Sequence, residues 1–228
     1  MTDDSRAQAL RTRLRAVVAT TLAGRTLLTH PFYRRWEAGE LRIEELSEYT
    51  VHYRAFEAVL PTVLSAVVDR LMSEGEFEAA DMVARNLADE LGCPEPHLAL
   101  FDAFADALSA AAAPSPGPAA EVLVATYLAL ADESPVAAIA GLAAYETQAA
   151  AIAASKGDGL RRWYGMDDAD TTFWDVHATM DADHGDWAVE ALALLGADEG
   201  EVANASRRAA DAWWALLDER EAEGLAVA

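Results

Sequence analysis

Residues 177–184 read HATMDADH. Two of the chain's five histidines stand here, seven positions apart, with Asp181 between them. The segment sits inside a run, residues 170–196, whose apolar spacing predicts a helix. Each helical residue turns the chain by about 100°, so Asp181 falls about 40° and His184 about −20° from His177. Phe173, Trp174, Met180, Ala188 and Ala191 share or border this stripe, whereas Asp175, Asp183 and Asp186 point away. The titratable stripe is therefore also the inward stripe. Burying three ionisable groups in an apolar core is costly unless something satisfies them. Imidazole and carboxylate are good ligands for iron, manganese or zinc, so a metal is one answer. The other is a core His–Asp hydrogen bond beside a half-exposed second histidine.

A metal held this way needs more ligands from facing helices. In NLADELGCPEPH, residues 86–97, Glu90 closes one predicted helix and His97 opens the next across a Gly-Cys-Pro turn. Taken alone, that pair also reads as a surface acid and a cap-region histidine. In AGLAAYETQAAAIAASK, residues 140–156, Glu146 is the only acid in a long alanine- and leucine-rich helix. Leu142, Ala149 and Ala150 lie one turn away, and a lone carboxylate on such a face needs a cation or a proton.

Of the 228 residues, 53% are apolar, enough for a sizeable core. The eight prolines and thirteen glycines cluster between long periodic segments, which is an all-α pattern. Helices are expected at residues 5–29, 44–72, 75–92, 97–112, 119–132, 135–156, 170–196 and 198–221. HPFYRRWEAGEL, residues 30–41, reads as a turn and short connector, with Pro31 and Gly39 as breakers. Pro61 predicts a kink or break in the second helix. Ser134 caps the sixth, with Pro135 in its first turn, and Gly157 and Gly159 end it. PSPGP, residues 114–118, is the clearest loop and is too short for an interdomain linker. The expectation is one domain of seven or eight helices over residues 1–228, its core at about residues 5–221, without internal repeats.

A formal net charge of −22 repels phosphate backbones and argues against a nucleic-acid partner. An acidic coat of this kind keeps a protein soluble. The lone cysteine, Cys93, cannot form a disulfide within the chain, which suits a reducing cytoplasm. Between Gly92 and Pro94 it reads as a structural or incidental thiol. The N-terminus lacks the apolar block and cleavage site of a signal peptide, and no uncharged apolar run reaches the ~20 residues of a membrane span. A cytoplasmic protein without a membrane partner is expected.

Taken in order, these segments resemble the heme-oxygenase-like diiron oxidases. The similarity is to their chlamydial death-domain-associated branch, the self-sacrificing p-aminobenzoate synthases. The matching residues are Glu90-x6-His97, Glu146 within YETQ, and His177-x3-Asp181-x2-His184. HPFYRRWEAGEL looks like the family's opening motif, and the similarity runs from about residue 25 to 215. The resemblance implies a seven-helix bundle, shared with thiaminase-like and pyrroloquinoline-quinone-synthase-like proteins that lack the full ligand set. It implies two metal ions, Fe/Fe or Fe/Mn, bound by Glu90, His97, Glu146, His177, Asp181 and His184. O2 and an external reductant from an unidentified electron donor would be co-substrates, and a homodimer is the expected assembly.

In that branch the protein's own tyrosine supplies the product's ring and a lysine its amino group. The matching positions are Tyr33 and Lys156. Tyr49 is a candidate radical relay or second sacrificial ring, and Tyr145 and Tyr53 are further candidates. Core packing with a hydrogen-bonded hydroxyl is the other reading of each. His30 and His52 match no ligand position and read as a turn residue and a packing residue. The chain holds sixteen arginines and one lysine, and Lys156 is that lysine. A guanidinium stays protonated and is a poor nitrogen donor, so this position is where a primary amine matters. A cation in the last turn of a helix also suits the helix dipole without any chemistry. Ten helical residues put Lys156 ~15 Å along the axis from Glu146, toward one end of the site.

Three functions follow. The first is an oxygen-dependent diiron enzyme making p-aminobenzoate for folate synthesis from its own Tyr33 and Lys156. The second is the same metal core acting on a free small molecule, by N-oxygenation or oxidative cleavage of an amino acid or fatty acid, with Tyr33 only lining the pocket. The third is a helical interaction protein whose metal is structural or vestigial.

Overall fold

A computed structural model describes residues 3–92, 95–108 and 115–226. Cys93 lies outside them, so its reading has no structural counterpart. The most apolar segment builds the centre. Helix α7 (Pro135–Tyr164) begins where Ser134 Oγ accepts the Ala137 N–H at 2.9 Å, with Pro135 in the first turn. By length and composition it could cross a membrane, but 72% of its most apolar window is buried inside the bundle. Its small residues let α8 (Thr172–Leu194) and α9 (Glu199–Ala226) lie close against it. Around this centre pack α1 (Asp3–Thr21), α2 (Pro31–Ala38), α3 (Ile43–Glu74), α4 (Phe77–Gly92), α5 (His97–Ala107) and α6 (Pro118–Glu133). One buried apolar cluster runs from Leu14 of α1 to Leu217 of α9.

The all-α expectation holds, but the helix count does not. Among the described residues there are nine α-helices and a 3-10 turn at Leu27–Thr29, where seven or eight were expected. The extra helix is α2, within the stretch expected to be a connector. Pro31 sits at its start, His30 Nδ1 accepts the Phe32 N–H at 3.1 Å, and Gly39 closes it at φ 72°. The supposed breakers are its first residue and its C-cap. Once formed, α2 buries Phe32, Tyr33 and Trp36.

Two other breakers are overridden by packing. Helix α3 continues through Pro61, which removes one hydrogen bond, the one to the Glu57 carbonyl, while Leu60, Val63 and Leu64 stay buried beside it. Helix α7 does not end at Gly157 and Gly159 but at Gly165, which is left-handed at φ 70°. Gly159 is there for closeness: a Cβ would lie 3.1 Å from Trp36 Cδ1 and 3.2 Å from the Trp36 carbonyl oxygen.

Gly185 of α8 faces the same demand against α7. A Cβ there would lie 3.1 Å from both the Glu146 carbonyl oxygen and Thr147 Cα. In an exposed helix Gly→Ala stabilises by about 1 kcal/mol. Here the obstructing atoms are backbone and cannot turn away. Gly185→Val is expected to destabilise by about 1–3 kcal/mol, measured by denaturant melts, through overpacking of the α7–α8 contact.

Candidate metal centre and amine pocket

The six residues expected to hold metal come together in two groups of three, all buried. Glu90 from the end of α4, His97 from the start of α5 and His177 from α8 offer ligand atoms within 4.8 Å of one another. Glu146 from α7 with Asp181 and His184 from α8 do the same. The end of α4 and the start of α5 bring Glu90 and His97 together, although helical spacing does not relate them.

The polar groups here are not satisfied by one another. Both ring nitrogens of His97, Asp181 Oδ1 and His184 Nδ1 are buried without a hydrogen-bond partner. His97 Nδ1 stands 3.1 Å from Glu90 Oε2, and His184 Nδ1 stands 3.4 Å from Asp181 Oδ1 and 3.8 Å from Glu146 Oε2, without hydrogen-bond alignment. Native interiors rarely leave such atoms orphaned, and a cation between them satisfies them together. The surroundings fit that role. His177 Nδ1 lies 2.8 Å from the Phe173 carbonyl, which makes Nδ1 the N–H donor and leaves Nε2 as the ligand atom. His184 Nε2 meets Asp89 Oδ2 at 3.2 Å, so its Nδ1 faces inward, and Asn86 Nδ2 donates to Glu146 Oε1 at 3.2 Å. Asp89 and Asn86 carry no sequence signal that separates them from other helix-surface polar residues.

The protonation balance follows from crowding. Burial, aided by Asp181 and Glu90, pushes the Glu146 carboxyl up to about 8, against the pull of His184. Burial works against a charged His184, but Asp181, Glu146 and Glu90 outweigh it and raise the imidazole to about 10. Burial keeps His177 below its ordinary value. Glu90 resists burial because His97, His177 and His184 surround it, which holds it below the usual carboxylate range.

Sequence reading missed a seventh residue. Glu57 of α3 is 2% exposed, its Oε2 has no partner, and burial together with the charge of Glu90 pushes its carboxyl well up. The signal was available: Glu57 is an acid on the buried stripe Tyr49, Tyr53, Leu60 and Leu64, the same anomaly that marked Glu146.

Beside the metal residues lies an amine pocket. Lys156 is 2% exposed and donates from Nζ to Tyr33 Oη at 2.9 Å and Tyr49 Oη at 2.6 Å, while those hydroxyls also meet each other at 2.8 Å. Nζ stands 4.3 Å from the Tyr33 ring centre, 4.5 Å from Trp174, 4.7 Å from Tyr49, 5.0 Å from Tyr53 and 5.3 Å from Trp36. A desolvated cation–π contact favours an ammonium by roughly 2 kcal/mol. Removing that ammonium from water costs several kcal/mol. Burial wins and holds the Lys156 amine well below its ordinary value. Tyr145 completes the lining, sharing a 2.7 Å hydroxyl contact with Tyr53 and stacking on Trp213 at 4.5 Å. Tyr33, Tyr49, Lys156 and Tyr145 are thus close in space, with Tyr53 among them. His30 and His52 are elsewhere: His30 caps α2, and His52 Nδ1 accepts the Gly117 N–H at 2.9 Å.

Comparison with known proteins accords with this arrangement. Residues 47–215 match a family described as iron-containing redox enzymes. This chain belongs to that family. It is therefore an oxidoreductase, and the reading as a pure interaction protein falls away. Within the family it is 38% identical over 216 residues to a 4-aminobenzoate synthase of Nitrosomonas europaea, covering 88% of each chain. It is 30% identical over 199 residues to a 4-aminobenzoate synthase of Chlamydia muridarum, covering 84% of this chain and 83% of that one. Among solved structures it resembles a domain of unknown function with a heme oxygenase-like fold from Shewanella denitrificans. The TM-score is 0.72 at 16% identity, covering 93% of this chain and 92% of the other.

Metal must displace the protons that Glu146 and His184 hold near neutrality, with Glu146 at about 8 and His184 at about 10. Binding releases protons, so it strengthens as pH rises. Anaerobic Fe(II) titrations between pH 6 and 8 are expected to show affinity climbing between about tenfold and a hundredfold per pH unit, the limits for one and two displaced protons.

Proposed function

We propose that this protein is an oxygen-dependent 4-aminobenzoate synthase that builds its product from its own Tyr33 and Lys156. One observation carries the reading: the only lysine of the chain places Nζ 2.9 Å from the phenolic oxygen of Tyr33 inside a closed aromatic pocket. In 4-aminobenzoate the amino group stands para to the carboxyl. On a tyrosine ring the para positions are the hydroxyl-bearing carbon and the carbon bonded to Cβ. The amine therefore waits at the end of the ring that must receive nitrogen: there the hydroxyl would leave as water and the lysine Nζ–Cε bond would break, while at the other end Cβ would become the carboxyl carbon once its bond to Cα breaks, O2 and the external reductant supplying the oxidation.

The residues around the ring prepare it. Trp36 meets Tyr33 edge to face at 6.5 Å and 85°, and Tyr49 does so at 6.1 Å and 71°, which fixes the ring plane. Burial holds the Lys156 amine well below its ordinary value, which favours the form with a free lone pair, and raises Tyr33 and Tyr49, which keeps them protonated, so the hydroxyls orient the amine instead of trapping it as an ion pair. Glu90, His97 and His177 would hold one metal ion and Glu146, Asp181 and His184 a second, as an Fe/Fe or Fe/Mn pair. That pair would supply oxidising power from O2 and an external reductant. Tyr49, within 2.6 Å of Nζ and hydrogen-bonded to Tyr33, is placed to pass an electron and proton between them. The cytoplasmic homodimer expected from the sequence, with its product feeding folate synthesis, belongs to the same proposal.

The alternative, oxidation of a free small molecule, is less favoured because Tyr33, Tyr49, Tyr53 and Lys156 themselves fill the space where such a substrate would lie. The test uses protein loaded anaerobically with Fe(II), then given reductant and air with no substrate added. Mass spectrometry is expected to show released 4-aminobenzoate, with matching losses at Tyr33 and Lys156. Tyr33→Phe and Lys156→Arg are each expected to cut product at least a hundredfold while both ions still bind. Oxygen consumption by the wild type without any 4-aminobenzoate would overturn the reading.

A further inference from the structure

Glu57 has no part in the scheme above, yet it is among the least exposed carboxylates of the chain. Helix α3 presents Tyr49, Tyr53 and Glu57 at four-residue intervals along one stripe. The two tyrosines line the amine pocket, and Glu57 comes one turn further along. On that side its charge opposes those of Glu90 from the first metal group and of Asp181 and Glu146 from the second. On the other side it is the one charge that bears on Lys156. Lys156 already donates to two tyrosines and Glu57 Oε2 has no partner, so the pair do not satisfy each other directly.

Charge balance explains why a carboxylate is kept there. Two divalent ions bring four positive charges into this core, whereas Glu90, Glu146 and Asp181 supply three negative ones and the histidines bind as neutral rings. An uncompensated charge in a dry interior is costly. A fourth carboxylate brings the sum to zero. From this juxtaposition, and resting on the two-ion reading above, we infer that Glu57 is a fourth carboxylate of the metal centre, a further ligand contributed by α3. It stands outside both groups of three, so ligation requires its side chain to swing toward the ions. Oε2 has no partner among the described residues, so the swing costs the carboxyl only its contact with Tyr53. Once engaged there, Glu57 offers less charge to favour an ammonium at Lys156.

The experiment compares wild type, Glu57→Gln and Glu57→Asp by anaerobic Fe(II) titration with equilibrium dialysis, and by thermal melts with and without Fe(II). Wild type is expected to bind two ions. Glu57→Gln removes a repulsive carboxylate, so without iron it should melt at or above wild type. It should bind one of the two ions at least tenfold more weakly and gain less in melting temperature from added Fe(II). Glu57→Asp keeps the charge and is expected to hold both ions within about tenfold of wild type, the low end of the loss seen when a supporting group around a metal is disturbed. Wild-type affinity for both ions in Glu57→Gln overturns the inference and leaves the proposed function standing. A Glu57→Gln protein that misfolds, or melts below wild type without iron, also overturns it, because the carboxylate then has a structural partner. A wild type that takes up fewer than two ions defeats the two-ion reading first, and the inference with it.

Discussion

Three histidines and four carboxylates occupy the interior of an alanine-rich bundle, and several of their polar atoms have no partner there. Such a set repels itself. Glu146 is driven toward its proton and His184 is driven to keep one, because neither has water to share the charge. Cations resolve this crowding, and most features of the centre follow from accommodating them. Helices α7 and α8 approach closely, with Gly185 against the α7 backbone, so that Glu146 can face Asp181 and His184. The end of α4 and the start of α5 meet so that Glu90 stands beside His97. Asn86, Asp89 and the Phe173 carbonyl orient three of the six residues from outside.

The amine pocket solves the opposite problem with the same means. The metal residues crowd charge inside, whereas the pocket around Lys156 disfavours charge. Five aromatic rings surround Lys156, and burial among them lowers its amine well below its ordinary value. The same burial that raises the carboxylates thus lowers the amine. Tyr49 and Tyr53 on α3 link the two regions, and the charge of Glu57 one turn further on bears on both. Each tyrosine hydroxyl in this chain of contacts finds another hydroxyl or the amine, which keeps the pocket satisfied without water.

Much of this was legible from residues alone. A helical stripe that carries His177, Asp181 and His184 on its apolar side is anomalous in any sequence, and so is a lone Glu146 in an alanine-rich helix. The single lysine among sixteen arginines marked Lys156. These signals survive because they are local: they compare a residue with neighbours one turn away. Breakers were less reliable. Pro31, Gly39, Pro61, Gly157 and Gly159 all suggested interruptions, but Pro31 opens a helix, Gly39 caps it and three lie inside helices whose buried faces outweigh one lost bond or one missing side chain.

The sequence by itself determined the helical class, the inward titratable stripes and the chemistry of the donor set, since helical periodicity and residue type set these directly. Only the tertiary structure decided that α2 exists and delivers Tyr33 to Lys156 across 123 positions. It alone split the ligands into two groups, and it alone brought Glu57 beside both. The physical reason is the same in each case. Those relations depend on how closely whole helices pack, and that is set by the summed fit of small and large side chains across many contacts, which no single segment contains.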